Sequence, residues 1–110
     1  MTDRDVCVAE LKKIVRDFCA ARGWDTDERP GQSAKSLAMS VAIEAAELME
    51  IFQWCSTEQA DCIKDDPKEF AHLQEELSDV LWYLLRIYTL FDIDVTTALR
   101  DKAEKNARRY

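Results

Sequence analysis

Glycine and proline are nearly absent from this chain: two of each in 110 residues. With so few helix breakers the sequence argues for long uninterrupted helices. Strand alternation, low-complexity tracts and internal repeats are missing as well. No apolar run approaches the ~20 residues needed to span a bilayer, and the opening MTDRDVCVAE lacks a signal-peptide pattern. A soluble cytoplasmic protein is therefore expected. The four cysteines (Cys7, Cys19, Cys55, Cys62) have no CxxC spacing. They are expected as reduced thiols, with Cys7 and Cys19 serving as small core residues of a first helix. Positive charge is in the minority, 15 Lys and Arg against 22 Asp and Glu for a net charge of −7. That balance argues against a nucleic-acid backbone or an anionic membrane as main partner. Neither a P-loop nor GxGxxG is present, so bound phosphates would have to be held by metal ions and basic side chains.

What the chain does have is 47% hydrophobic residues and two acidic pairs set among them. Glu44-Ala-Ala-Glu47 lies inside SVAIEAAELMEIFQW, and Glu76-Leu-Ser-Asp79 inside QEELSDVLWYLL. On a helix, positions i and i+3 project from one face about 60° apart. Packed side by side, the two helices would bring four carboxylates to a place that Ile43, Leu48, Ile51, Leu77, Val80 and Leu81 make partly dry. Like charges there repel, and burial penalises the ionised form. A hard divalent cation removes the conflict, and oxygen-only ligands favour Mg²⁺, with Mn²⁺ as a substitute, over Zn²⁺. The plainer alternative is a set of solvated helix-face acids.

Periodicity predicts an all-α domain spanning 1–110, with four main helices. Asp3 is the expected N-cap of the first and Gly23 its stop. The polar loop WDTDERPGQSA precedes a second helix, which begins near Ser33 to Ser36 and ends near Trp54. One or two turns are expected between Ser56 and Asp65. Asp66-Pro67-Lys68-Glu69 reads as the start of the longest helix, with the stripe Phe70, Leu73, Leu77, Val80, Leu81, Leu84, Ile87 and Tyr88. Asp92-Ile93-Asp94 breaks it, and Asp94 caps a fourth helix from about Val95 to Arg108.

Other residues admit two readings each. Lys102, Asn106 and Arg109 share one face of the last helix beside Tyr110, which suits phosphate binding or a solvated basic helix end. Trp24 and Trp54 sit at helix ends, as base-stacking residues or as core and interface. Tyr83, four residues after Asp79, extends the acidic face or is a half-buried phenol. His72 follows Glu69 at the Glu-x-x-His spacing of di-iron bundles, which would need a second chain to complete a site.

The acidic pairs, LAMSVAIEAAELMEIFQW, QEELSDVLWYLL and the tail KAEKNARRY together resemble the all-α nucleotide pyrophosphatases of the MazG-like superfamily, dCTP pyrophosphatase branch. The resemblance runs from about Phe18 to Tyr110. It implies a four-helix MazG-like bundle assembled with neighbouring subunits as a homodimer or homotetramer. It implies Mg²⁺-dependent hydrolysis of a nucleoside triphosphate, dCTP or a modified dNTP, to monophosphate and pyrophosphate. Mapped by motif, Glu44, Glu47, Glu76 and Asp79 would be the metal ligands, with Glu47 also the expected base for the attacking water. Lys102 and Asn106 would meet the nucleotide, Arg109 and Tyr110 its phosphates, and Trp24, Trp54 and Tyr83 the base and sugar. Two departures fall near the expected base pocket. Ala34-Lys35-Ser36 replaces the branch's Pro, basic residue and Asn, and Val15 stands where some relatives have His. A non-catalytic helical dimer with an acidic docking face is the competing expectation.

Overall fold

A computed structural model describes residues 1–24 and 32–110. Most of the loop expected between the first two helices, residues 25–31, lies outside the described residues. The order of elements is α1 (Val8–Ala21), α2 (Ala34–Phe52), α3 (Thr57–Asp61), a 3-10 turn (Ile63–Asp65), α4 (Pro67–Leu90) and α5 (Val95–Arg109). The chain is all-α, as expected, and the described residues hold four long helices and one short one.

Residues Ser33–Leu84 form one compact unit, and Met1–Gln32 with Leu85–Tyr110 form another. In the first, α2 starts where the Ser33 hydroxyl accepts from the Ser36 N–H at 3.1 Å. Leu37 is buried beneath this turn. α3 opens on a full capping box between Ser56 and Gln59. α4 opens on Asp66, whose carboxylate accepts from the Lys68 and Glu69 N–H groups at 3.2 and 3.3 Å; Pro67 stands at the first helical position, where no N–H is needed.

In the other unit Val15 and Cys19 of α1 and Leu85 of α4 are buried. α1 begins later than Asp3. The first residues instead close a turn in which Asp5 accepts from the Thr2 N–H at 3.1 Å and hydroxyl at 3.3 Å. The N-cap is Cys7, which makes no side-chain cap. This corrects Cys7 as well: its thiol is exposed outside the helix, and only Cys19 is a core residue. The end of α1 is as expected. Gly23 takes φ +70°, its N–H bonds Ala20 O, and the Trp24 N–H reaches back to Cys19 O at 2.9 Å. That is a Schellman motif. It sets the Trp24 ring edge-on to Phe18, centroids 5.8 Å apart. α4 stops the same way with Asp92 at φ 52°. Beyond it, Lys12 donates to Ile93 O at 2.7 Å, and Asp94 caps α5 through the Thr97 N–H and hydroxyl.

The expected apolar stripes are only partly covered. On α2, Met39, Ile43 and Met49 stay exposed on the side opposite Leu37 and Leu48. On α4, Leu77, Leu81 and Leu84 are exposed along one line while Leu73, Val80 and Ile87 are half-buried. Both helices are apolar on more faces than their own unit covers. No described helix is long and apolar enough to cross a membrane.

Replacing Gly23 by Ala isolates the left-handed backbone, because an added Cβ meets nothing within 4 Å. The variant should lose about 1 kcal/mol of stability, read as a lower midpoint in urea at unchanged slope.

Candidate metal centre

Glu44 and Glu47 lie one turn apart on α2, with Glu76 and Asp79 likewise on α4, all within the Ser33–Leu84 unit. Their backbone positions follow from the helical period. Their convergence follows from the half-buried Leu48 and Ile51 on the same side of α2 and Val80 on α4. The other three residues expected to dry the site, Ile43, Leu77 and Leu81, are exposed. Ile43 lies about 100° round α2 from Glu44 and, although on the same side as Glu47, stays exposed.

Carboxylate oxygens of Glu44, Glu47 and Glu76 all lie within 4.8 Å of one another. Asp79 is outside this trio but close enough for its charge to act on both Glu44 and Glu76. Glu44 and Glu76 are half-buried and Glu47 is exposed. Glu44 Oε2 and Glu76 Oε2 are fully buried and have no hydrogen-bond partner. Unsatisfied buried oxygens are costly, and here two face a concentration of their own charge.

The electrostatics express that cost. Burial foremost, then a hydrogen bond with Glu47 and the charges of Glu47, Asp79 and Glu76, hold the Glu44 carboxyl above its usual range. Glu76 is raised by burial first, then by the charges of Glu47 and Asp79 and a hydrogen bond with Glu47, while His72 pulls it down. Glu47 thus stands close to both neighbours. An all-oxygen donor set, two oxygens without donors and accumulated negative charge are what a hard divalent cation satisfies.

The other candidates are not part of this cluster. Tyr83 is half-buried on α4, one turn beyond Asp79, and Trp54 is 88% exposed just past the end of α2. Trp24 packs on Phe18 in the other unit, beside Arg22, whose guanidinium lies 3.4 Å from the Phe18 ring centroid. On α5, Lys102 is exposed, Asn106 is half-buried with its carbonyl accepting from the Tyr110 N–H, and the Arg109 guanidinium lies 5.3 Å from the Tyr110 ring centroid. One neighbour of the cluster escaped the sequence reading. His72 lies closer to Glu76 than to Glu69, 3.4 Å against 4.0 Å, and the i, i+4 spacing to Glu76 was the signal available.

Helices, acid pairs and block order define a class, and the family model of that class matches residues 39–110. The chain belongs to the MazG-like family. Among individual proteins, dCTP pyrophosphatase 1 of Rattus norvegicus is 35% identical over 101 residues, which is 92% of this chain and 57% of that protein. The Homo sapiens protein of the same name is 34% identical over the same shares. The chain thus spans a little over half the length of these relatives. A pyrophosphatase from Archaeoglobus fulgidus, of known crystal structure, is 38% identical with a TM-score of 0.76, covering 93% of this chain and 90% of that one.

For the metal-free protein a pH dependence follows. In the unfolded chain Glu44 and Glu76 titrate near 4.5 and in the folded protein above it. The fold therefore binds more protons, and these groups weaken it increasingly as pH rises from 4.5 through the raised values. Glu44→Gln with Glu76→Gln should gain stability over the wild type in EDTA, by a margin that widens with pH across that window. Thermal unfolding at stepped pH measures it, and a margin flat in pH would contradict the assignment.

Proposed function

We propose that this protein is a divalent-metal-dependent nucleoside triphosphate pyrophosphohydrolase, cutting between the α and β phosphates to release monophosphate and pyrophosphate. The observation that carries this is the trio Glu44, Glu47 and Glu76, with oxygens within 4.8 Å and two of them buried without a partner. The names of the relatives, dCTP pyrophosphatase and pyrophosphatase, support the reaction class. Mg²⁺ is the proposed cofactor and Mn²⁺ its substitute, held by Glu44, Glu47 and Glu76 with Asp79 completing the charge. When bound, such an ion neutralises phosphate charge and acidifies water.

The chain's own residues divide the remaining work. Glu44 and Glu76, half-buried, hold charge in place. Glu47, exposed and central, accepts the proton of the attacking water at its carboxylate. We assign Lys102 and Asn106 to the nucleotide, Arg109 and Tyr110 to its phosphates, and Trp24, Trp54 and Tyr83 to base and sugar. The substrate is dCTP or a modified deoxynucleotide of the cytoplasmic pool. A second copy of the chain covers the exposed faces of Met39, Ile43 and Met49 on α2 and Leu77, Leu81 and Leu84 on α4, giving a homodimer or homotetramer.

Incubation with Mg²⁺ and each deoxynucleoside triphosphate, followed by ion-exchange separation, should yield monophosphate and pyrophosphate, with dCTP or a modified analogue fastest. Glu47→Gln should reduce turnover by about 100-fold or more while still binding nucleotide. Diphosphate with orthophosphate, or no turnover of any nucleotide, would reject the reaction and favour a non-catalytic docking protein. For the assembly, sedimentation of Met39→Lys/Met49→Lys should show a shift towards monomer; an unchanged species would place the interface elsewhere.

A further inference from the structure

His72 stands one turn before Glu76 on α4, with a carboxylate near each ring nitrogen. Its Nε2 lies 3.4 Å from Glu76 Oε1, and its Nδ1 lies 4.0 Å from Glu69 Oε2. The two oxygens of Glu76 are thereby distinguished: Oε1 faces the imidazole, and Oε2 is the buried oxygen with no partner. We propose that His72 is a positioning residue for the metal centre, its Nε2–H holding Glu76 Oε1 so that Oε2 is left to the cation. The proposal rests on the reading of Glu76 as a metal ligand.

A glutamate has several rotatable bonds, and an unrestrained carboxylate in a crowd of like charges turns away from them. A donor on one oxygen opposes that rotation and directs the other oxygen inward. His72 can supply it because it is on the same helix, four residues away, so the spacing is fixed by the backbone. Glu69, in the first turn of α4, lies 4.0 Å from Nδ1 on the ring's other side. The imidazole is 49% exposed and the Glu76 side chain 13% exposed. The pair therefore sits at the rim, with the acceptor inside and the donor outside. A surface His–Glu pair with no such role would contribute a few tenths of a kcal/mol to the helix and nothing to metal affinity.

The test is Mn²⁺ binding by the metal-free 110-residue chain, followed by electron paramagnetic resonance of the free ion and by calorimetry, without nucleotide. His72→Ala should weaken Mn²⁺ binding about tenfold with an unchanged unfolding midpoint in EDTA. His72→Gln, whose amide nitrogen can take the place of Nε2, should recover most of the affinity. Glu76→Gln should lose binding outright. Wild-type affinity in His72→Ala beside loss in Glu76→Gln would overturn the role of His72 and leave the metal centre standing. A His72→Gln variant no better than His72→Ala would overturn the N–H contact. Wild-type protein that takes up no Mn²⁺ would overturn the metal reading and this inference together.

Discussion

Mutual repulsion among Glu44, Glu47, Glu76 and Asp79 is the constraint that the Ser33–Leu84 unit has to accommodate. Three of the four have oxygens within 4.8 Å of one another, and two of those groups are held above their usual pKa range by burial and by one another. Among the described residues no hydrogen-bond partner meets the buried oxygens of Glu44 and Glu76. The helices tolerate the arrangement because each acid pair is placed by its own backbone, and capping at Ser33 and Asp66 fixes where each helix begins. Local order is thus secured separately from the repulsive contact between α2 and α4. On the proposed reading the fold is left less stable without its cation, and binding recovers that free energy by linkage.

The same thin burial explains the apolar faces. Only Val15, Cys19, Leu37 and Leu85 are buried hydrophobic residues among those described. A 110-residue chain with so small a core gains from covering more surface by association. α2 makes the point in one helix. Glu44, Leu48 and Ile51 look to one side, while Met39, Ile43 and Met49 line the other. On the proposed reading, a helix apolar on both sides of its acid pair has one face for the site and one for a neighbour.

Legibility in the sequence tracked how local each determinant is. Gly23, Ser33, Asp66-Pro67 and Asp94 were readable because a cap or stop depends on residues within one turn of it. Asp3 failed because Asp5 competes for the same stretch and ties it into a turn before the helix. The pairs Glu44/Glu47 and Glu76/Asp79 were readable for the reason that made the caps so: i, i+3 spacing is a backbone property. Which acids converge is not, since it depends on how α2 and α4 approach, and Asp79 lies outside the trio for that reason. Apolar stripes were visible as stripes, but a sequence does not say which neighbour covers Leu77 or Leu81. Trp54 is similar. Its position after α2 was legible, while its 88% exposure means that little of the described chain packs against it.

The gradient of burial across the trio separates roles that four identical carboxyl groups would otherwise share. Glu44 and Glu76 are withdrawn from solvent, so their charge is least screened and its interaction with a bound cation strongest. Glu47 lies between them yet is exposed. On the proposed reading a proton taken from water has to leave the site before the next turnover, and of the three Glu47 is the most open to bulk solvent for that exchange. A base placed at Glu44 or Glu76 would have to pass its proton through a neighbouring carboxylate, and would lose its charge where the cation most needs it. On the proposed reading the division of labour follows from position: the half-buried acids hold, and the exposed one beside them moves the proton.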